Sequence, residues 1–412
     1  MKTSPLAALV SVAVASASVA RADDDLFSVM VAPTGTGPAP ITVRDSNIIN
    51  LADDLIDTTG DFSSFFGVDF RAALTYADVP DAIVFTMSAD RQTATLQLLG
   101  QPVRTFSAAN GSLSDQIEDY LRGDRGGKRD LRRFFDEINR RSLVAVTDGN
   151  PLASTARAAQ FTFDRFGFRA DDPAFEGRGE DGNSEADGFS FRMDSIGGAI
   201  RTDAGDGSSF TFAPSFQFRF NERFAVVAAI PVEAHEIEGS SVGFVGFHVA
   251  APIRVLLPSN GSPVLWQITP SLGSLFSASE DFAAGGLLST AGVTSLLSLG
   301  VKDWTFSLVN HVSFYEGEKI KGDDFEWESG VSQGILKNGV QVSWRFADNW
   351  FVYASGAYSN FLNDARVDHW WSPEAGIGFR TSGGFAVVGG YEANLASDYE
   401  THRARLTLQF GW

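Results

Sequence analysis

The stretch Asn310-His311-Val312-Ser313-Phe314 sets an imidazole and a hydroxyl two residues apart, the spacing that puts both on one face of a β-strand. Such a pair could perform acyl transfer, but a serine nucleophile needs a positioned base and a third group that orients the base. No asparagine or acid follows on that face, so His311 and Ser313 are expected to serve as polar wall residues. Metal chemistry has as little support. His235, His248, His311, His369 and His402 are scattered, no H-x-x-x-H pattern occurs and the chain has no Cys. Asp323, Asp324, Glu326 and Glu328 share one loop but lack an EF-hand register, which favours a solvated acidic loop over a Ca²⁺ or Mg²⁺ site. The expectation is a protein without a catalytic residue, metal or cofactor.

The elements that must position these side chains are strands. In "FTFAPSFQFRF", Phe210, Phe212, Pro214, Phe216, Phe218 and Phe220 share one face, while Thr211, Ala213, Ser215, Gln217 and Arg219 share the other. "VQVSWRF" sets Val340, Val342, Trp344 and Phe346 against Gln341, Ser343 and Arg345. "AGIGFR" sets Ala375, Ile377 and Phe379 against Gly376, Gly378 and Arg380. The polar face is rich in Gly, Ser, Thr and Gln, and heavy aromatics gather near strand ends. This is the pattern of a membrane barrel, apolar outside and polar inside. A soluble sandwich, with the same alternation turned inward, is the competing reading.

Turn signals sort into short ones at 221–223, 259–262, 302–303, 347–349 and 382–384, and longer polar ones at 202–208, 236–241, 277–286, 316–330, 363–369 and 396–400. Strict alternation of short and long predicts about twelve strands, with every short turn on the periplasmic side. Phe220, Phe224, Trp304, Phe306, Phe346, Trp350, Phe379 and Phe385 bracket the short turns and read as an aromatic girdle. Leu406, Leu408, Phe410 and Trp412 end the chain on one apolar face. Residues 189–412 thus resemble bacterial outer-membrane β-barrel proteins, whose last strand ends in an aromatic residue. The resemblance implies that "LTLQFGW" is an insertion signal read by the barrel-assembly machinery, and that the outer wall meets outer-membrane lipid and lipopolysaccharide. The His-x-Ser spacing also resembles that of outer-membrane phospholipases. In that family the pair faces lipid and an Asn completes it, whereas here Trp304, Phe306, Leu308, Val312 and Phe314 take the lipid face.

Residues 1–22 read as a secretory signal, with Lys2, the apolar run "LAALVSVAVASASV" and an A-x-A site at Ala20-Arg21-Ala22. No later run approaches the roughly 20 apolar residues of a membrane helix. The formal charge of −19 becomes about −21 once Lys2 and Arg21 are removed, which argues against nucleic acid. Residues 23–167 predict a small α+β domain. Its strands lie at 82–88, 93–99 and 102–107, and two helices are built on Leu113, Ile117, Tyr120, Leu121 and on Leu131, Phe134, Phe135, Ile138. A third helix has Asn150 as N-cap, Pro151 in its first turn, Gly167 at its end and apolar positions Leu152, Ala156, Ala159, Phe163 and Phe166. This domain is expected in the periplasm unless it threads the pore. Residues 168–188 are acidic and Gly-rich, a flexible linker. The fold class is therefore an all-β transmembrane antiparallel barrel preceded by a small α+β domain.

Inside the barrel, Arg192, Arg219, Arg254, Arg345 and Arg380 fall near the periplasmic strand ends, a basic collar, with Glu233, Glu374 and Glu392 farther up. Three readings stay open: cross-barrel pairs that fill the interior, a dock for linker acids Asp171, Asp172, Glu176, Glu180 and Asp181, or a charge-selective constriction. Two functional classes follow. One is an outer-membrane channel or transporter for small hydrophilic solutes, narrowed or plugged by the N-terminal domain, linker or helix. The other is a scaffold, adhesin or secretion module, because a helix before a barrel of this size resembles autotransporter translocator units. Against that resemblance, the N-terminal part is no long repetitive passenger, and about 20 residues separate helix from barrel.

Overall fold

The computed structural model describes residues 26–48, 50, 51, 54, 63–168, 188–258, 263–321, 326–328, 330–381 and 384–411. The expected leader, the linker acids, Asp323, Asp324 and Trp412 lie outside the described residues.

The period-2 alternation from residue 188 onward builds a closed antiparallel wall. Its strands are β7 (Gly188–Thr202), β8 (Gly205–Asn221), β9 (Phe224–Ala229), β10 (Val232–Ile237), β11 (Ser240–Ala250), β12 (Ile253–Leu256), β13 (Val264–Ser279), β14 (Ala284–Val301) and β15 (Trp304–Lys321). A short β16 (Glu326–Glu328) pairs with the end of β15, and β17 (Ser332–Ala347), β18 (Trp350–Phe361), β19 (His369–Arg380), β20 (Ala386–Ala396) and β21 (Tyr399–Gly411) complete the circuit. Closure comes from β21 against β7, Gly411↔Ser190 through Tyr399↔Thr202. Closure leaves the wall no open sheet edge, the condition lipid imposes.

Fourteen strands form this wall where about twelve were expected. The difference has a local cause. Pro231 separates β9 from β10, and Pro252 separates β11 from β12; proline offers the ladder no N–H. Register passes through both gaps unchanged, from Ser215↔Ala229 to Phe212↔Val232 and from Ala250↔Ser271 to Ile253↔Ile268. Each pair of short strands is one interrupted crossing.

One end of the barrel, here the near rim, holds the start of β7, the end of β21 and the tight turns at 222–223, 302–303 and 348–349. The opposite, far rim departs from the expected long loops. The links 203–204, 238–239 and 397–398 are two-residue reversals, because their polar flanks continue the ladder to Thr202↔Gly205, Ile237↔Ser240 and Ala396↔Tyr399. Glu238 and Gly239 both take positive φ, 47° and 83°, as a two-residue hairpin with right-handed strand twist requires. Among the described residues, much of the expected loop at 316–330 belongs to β15, which runs to Lys321, and to β16, whereas the segment 362–368 remains an irregular link.

The N-terminal sheet runs β2-β1-β3-β4-β5-β6, with β1 (Phe27–Pro33), β2 (Ile41–Asp45), β3 (Phe70–Tyr76), β4 (Val79–Met87), β5 (Thr93–Leu98) and β6 (Arg104–Ser107), all antiparallel. The first three were not anticipated. Helices α1 (Leu113–Leu121) and α2 (Gly127–Arg141) follow as expected. The domain seats on the far rim. Ile48 N–H donates to the Asp281 carbonyl at 2.9 Å, Asn47 Nδ2 to Asp281 Oδ1 at 2.6 Å, and Arg366 N–H to the Gly149 carbonyl at 2.9 Å. Its hydrophobic core is shared with Ile200, Ile237, Val242, Phe282, Val367 and Tyr399 of the barrel.

Candidate functional site

The third helix does not stay with the domain. From Ser142 the chain is buried almost without a break to Phe168, and α3 (Ser154–Phe163), extended by a π-helical turn at Asp164–Phe168, lies inside the barrel. Asn150 does not begin it. Asn150 Oδ1 accepts from the N–H groups of Leu152 and Ala153 at 2.8 and 2.9 Å, and Nδ2 donates to the Ala145 carbonyl, so it fixes the turn ahead of the helix. The helix then starts at Ser154, with Ala153 as N-cap.

Two kinds of contact hold α3. Small and aromatic residues pack on the wall: Ala156, Ala158 and Ala159 with Leu275, Leu288, Tyr315 and Ile335, then Phe163 and Phe168 with Leu265, Leu296 and Val309. Gly167 and Gly339 are close-approach positions. A Cβ on Gly167 would lie 2.5 Å from Val309 Cγ1, and one on Gly339 would lie 2.7 Å from Phe168 Cζ. Polar contacts form the second kind. Arg157 pairs with Glu233, which also accepts from Thr211 Oγ1 at 2.6 Å. Asp164 accepts from Arg405 at 2.6 Å, and Arg165 donates to Ser215 at 3.0 Å and Gln217 at 3.3 Å. Arg157 meets the wall beside Thr211 and Arg165 meets it lower on the same strand, so the helix descends from the far rim toward the near rim. Behind it, Arg403 and Arg405 both bind Glu392, Arg405 approaches Glu374 at 3.7 Å, and Tyr353 donates to Glu374 at 2.7 Å.

Near the lumen mouth lie two acids whose burial opposes ionisation, Asp148 on this segment and Asp78 on the N-terminal domain. Burial pushes the Asp148 carboxyl up to about 6 even though Thr155 Oγ1 donates to it at 2.8 Å and Gln333 at 3.3 Å. Asp78, under the domain, is likewise pushed up by burial to about 6 against the opposing pull of Ser142, the Leu143 N–H and Arg366.

The anticipated residues fare unevenly. Glu233, Glu374 and Glu392 are buried in the lumen, and each meets arginine there. The five collar arginines lie toward the near rim, but only Arg192 and Arg254 are buried. Arg192 binds Asp194 on its own strand, Arg254 reaches the Glu222 carbonyl, and Arg345 is exposed. His311 and Ser313 face inward as expected. Both His311 ring nitrogens meet threonine, Thr162 at 3.2 Å and Thr294 at 2.8 Å. Among the described residues no group of three or more His, Asp or Glu could hold a metal ion. The missed residues are Arg157, Gln160, Asp164 and Arg165 on the helix and Lys337, Arg403 and Arg405 on the wall. The last two alternate visibly in "HRARLTLQF".

The outer surface is the apolar one. Phe210, Phe216, Phe218, Val340 and Ile377 are exposed, while Thr211, Ser215, Gln217, Gln341 and Ser343 are buried. On β15 the outward residues from Trp304 to Phe314 are apolar except Asn310, and then turn to Glu316 and Glu318. That height matches the 9–11 residues of a bilayer-crossing strand. At the near rim, Phe220 and Phe224, Trp304 and Trp344, Trp350 and Phe379, and Phe385 and Phe410 are ring neighbours 5.0–5.6 Å apart. Leu406 is exposed, with Leu408 and Phe410 half-exposed beside it. The chain is an outer-membrane-type β-barrel.

No family model and no curated protein matches this chain. Solved structures do. The translocator domain of the autotransporter NalP from Neisseria meningitidis is 15% identical, with a TM-score of 0.42, over 62% of this chain and 97% of that one. The beta domain of the Bordetella autotransporter Brka is 11% identical, TM-score 0.40, over 55% and 99%. The NanC porin is 10% identical, TM-score 0.36, over 53% and 98%.

Proposed function

We propose that this protein is a translocator-type outer-membrane protein that displays its own N-terminal domain at the cell surface and keeps its barrel closed with α3. The observation that carries the reading is the path of the chain. The domain sits on the far rim, α3 descends through the lumen, and β7 begins at the near rim. With the near rim in the periplasm, as the aromatic C-terminal strand ending there favours, the domain lies outside, in place of the periplasmic position expected from chain order. The apolar belt would then meet lipid and lipopolysaccharide, and β21 would be the strand the barrel-assembly machinery reads. The ion pairs between helix and wall support a closed lumen over a conduit for small hydrophilic solutes.

Protease added to intact cells tests the orientation. Cleavage within 26–141 without permeabilisation is the expected result. Protection in intact cells, lost only when the outer membrane is opened, would place the domain in the periplasm and overturn the reading. Planar-bilayer recording tests the closure: the full chain is expected to be silent and a chain beginning near Asp187 to conduct. Steady conductance from the full chain would favour a solute channel.

A further inference from the structure

Asn310 is the one polar side chain on the lipid face of β15 between Trp304 and Phe314. It lies six residues above Trp304. A rise of about 3.4 Å per residue on a strand tilted about 40° sets it about 15 Å above the aromatic girdle, near the middle of an apolar band about 25 Å tall. Its cross-strand neighbour is Asn338 of β17, six residues above Trp344, and the two tryptophans at the foot of these strands stack at 5.6 Å. Both asparagines point away from the lumen, since the adjacent His311 and Lys337 are buried inside it. Cross-strand partners have Cβ atoms about 5 Å apart, so two amides stand side by side in mid-belt.

Hydrocarbon offers an amide neither donor nor acceptor, and a polar group left unsatisfied there is costly. Elsewhere on this face the wall satisfies its own polar groups. Trp266 Nε1 donates at 3.2 Å to Ser295 Oγ of β14, and Ser295 is the residue paired with Asn310 on its other side. The side-chain amides of Asn310 and Asn338 have no hydrogen-bond partner among the described residues. Leu308 and Val340 below them, and Val312 and Leu336 above, form an apolar frame on the same face. A surface that completes this patch must be apolar around its edge and carry both donors and acceptors at its centre.

A second copy of the wall has that chemistry. An asparagine amide holds two donors and an acceptor, so it complements itself. A two-fold axis along the membrane normal, passing between the two residues, sets Asn310 of each copy opposite Asn338 of the partner subunit, an isologous contact. We propose that this protein forms a side-by-side dimer in the membrane through the β15–β17 wall, with Asn310 and Asn338 exchanging amide hydrogen bonds across that axis. The contact involves neither the lumen nor the choice of rim that faces the cell exterior, so it stands or falls separately from the display reading.

Energy transfer between full-length copies labelled at Asp348→Cys, in the near-rim turn after β17, reads association in lipid vesicles. The chain has no Cys of its own, so the dye occupies one site. Transfer is expected at low lipid-to-protein ratio and should fall as lipid dilutes the protein. Asn310→Leu combined with Asn338→Leu leaves the face fully apolar, and should bring dissociation at a lipid ratio at least tenfold lower, with folding verified by heat-dependent gel mobility. In outer membranes, Leu336→Cys treated with a short bis-maleimide should give an adduct of twice the chain mass. Phe212→Cys, exposed on β8 across the barrel, should give none. Transfer from folded protein that stays at the random-mixing level at every dilution would overturn the proposal. So would a Leu336→Cys adduct with a different protein and none with a second copy, or a leucine pair that associates as strongly as the natural asparagines.

Discussion

Arg157→Met asks whether ion pairs or packing hold the plug. Arg157 and Glu233 are both buried, and the remaining hydrogen-bond partner of Glu233 is Thr211 Oγ1 at 2.6 Å. Removing one member of a buried pair leaves a desolvated charge and costs about 3–5 kcal/mol. Tenfold per 1.4 kcal/mol turns that into a roughly 10²- to 10⁴-fold rise in the opening equilibrium of α3. Hydrogen exchange reads this quantity directly, because amide protection reports the free energy of local opening. Protection across 154–163 should fall by that factor, while the sheet β1–β6 keeps its own. Adding Glu233→Gln removes the stranded charge and retains an acceptor for Thr211, so the double variant should recover most of the loss. Protection within threefold of the parent in the single variant would refute the claim that this pair holds the helix. A double variant worse than the single would show that Glu233 has a second role.

Other consequences follow from the same geometry. Asp148 has its folded-state pKa raised from 3.8 to about 6, so its protonation stabilises the docked segment below pH 4, and that contribution is lost as pH rises through 6. It amounts to at most about 3 kcal/mol. The unfolding temperature of the docked domain in detergent should fall between pH 4 and 7, and Asp148→Asn should flatten that slope. Gly339→Val should loosen α3 by about 1–3 kcal/mol, since its Cβ would meet Phe168, Phe163 and Ala357 within 3.0 Å. Gly356→Ala, with nothing within 4 Å of the new Cβ, should leave α3 exchange unchanged. Val340→Arg puts a cation on the lipid face at a position 58% exposed, and should cost about 2–4 kcal/mol if that position lies near the bilayer centre. Urea titration of the folded fraction in lipid vesicles measures it, and a neutral result would count against Val340 facing lipid.

The wall was the legible part of the sequence. Lipid outside and polar side chains inside impose one period on every strand, so Phe210 to Phe220 or Val340 to Phe346 declare their faces without help from neighbours. Turn lengths at the far rim were less legible. Gly, Ser and Asp both extend a ladder and reverse it, and "TDAGDGS" reads as a loop although Thr202 and Gly205 are paired across a two-residue link. Strand β3 was missed because its burial does not alternate cleanly and is partial at most positions; β1 and β2 alternate but are short, seven and five residues, and β2 has no fully buried position. The start of α3 moved from Asn150 to Ser154 because a capping side chain can serve a preceding turn as readily as a helix.

The location of α3 was recoverable, and the reason generalises. Its apolar positions Ala156, Ala159, Phe163 and Phe166 describe an ordinary core-facing stripe, and that is how a helical period alone reads them. Arg157, Gln160, Asp164 and Arg165 spread around the rest of the surface, and all four are buried. A helix polar over much of its circumference cannot be buried in an apolar core, since each unpaired charge there costs several kcal/mol. It can be buried only where the surrounding wall offers complementary charge. The inward residues of this barrel do: Glu233 stands opposite Arg157, Arg405 opposite Asp164, and Ser215 and Gln217 opposite Arg165. The alanines at 156, 158 and 159 let the backbone come close enough for those pairs to form. A helix with too many charges for a core, ahead of a barrel with inward charges of both signs, already specified the lumen as its place.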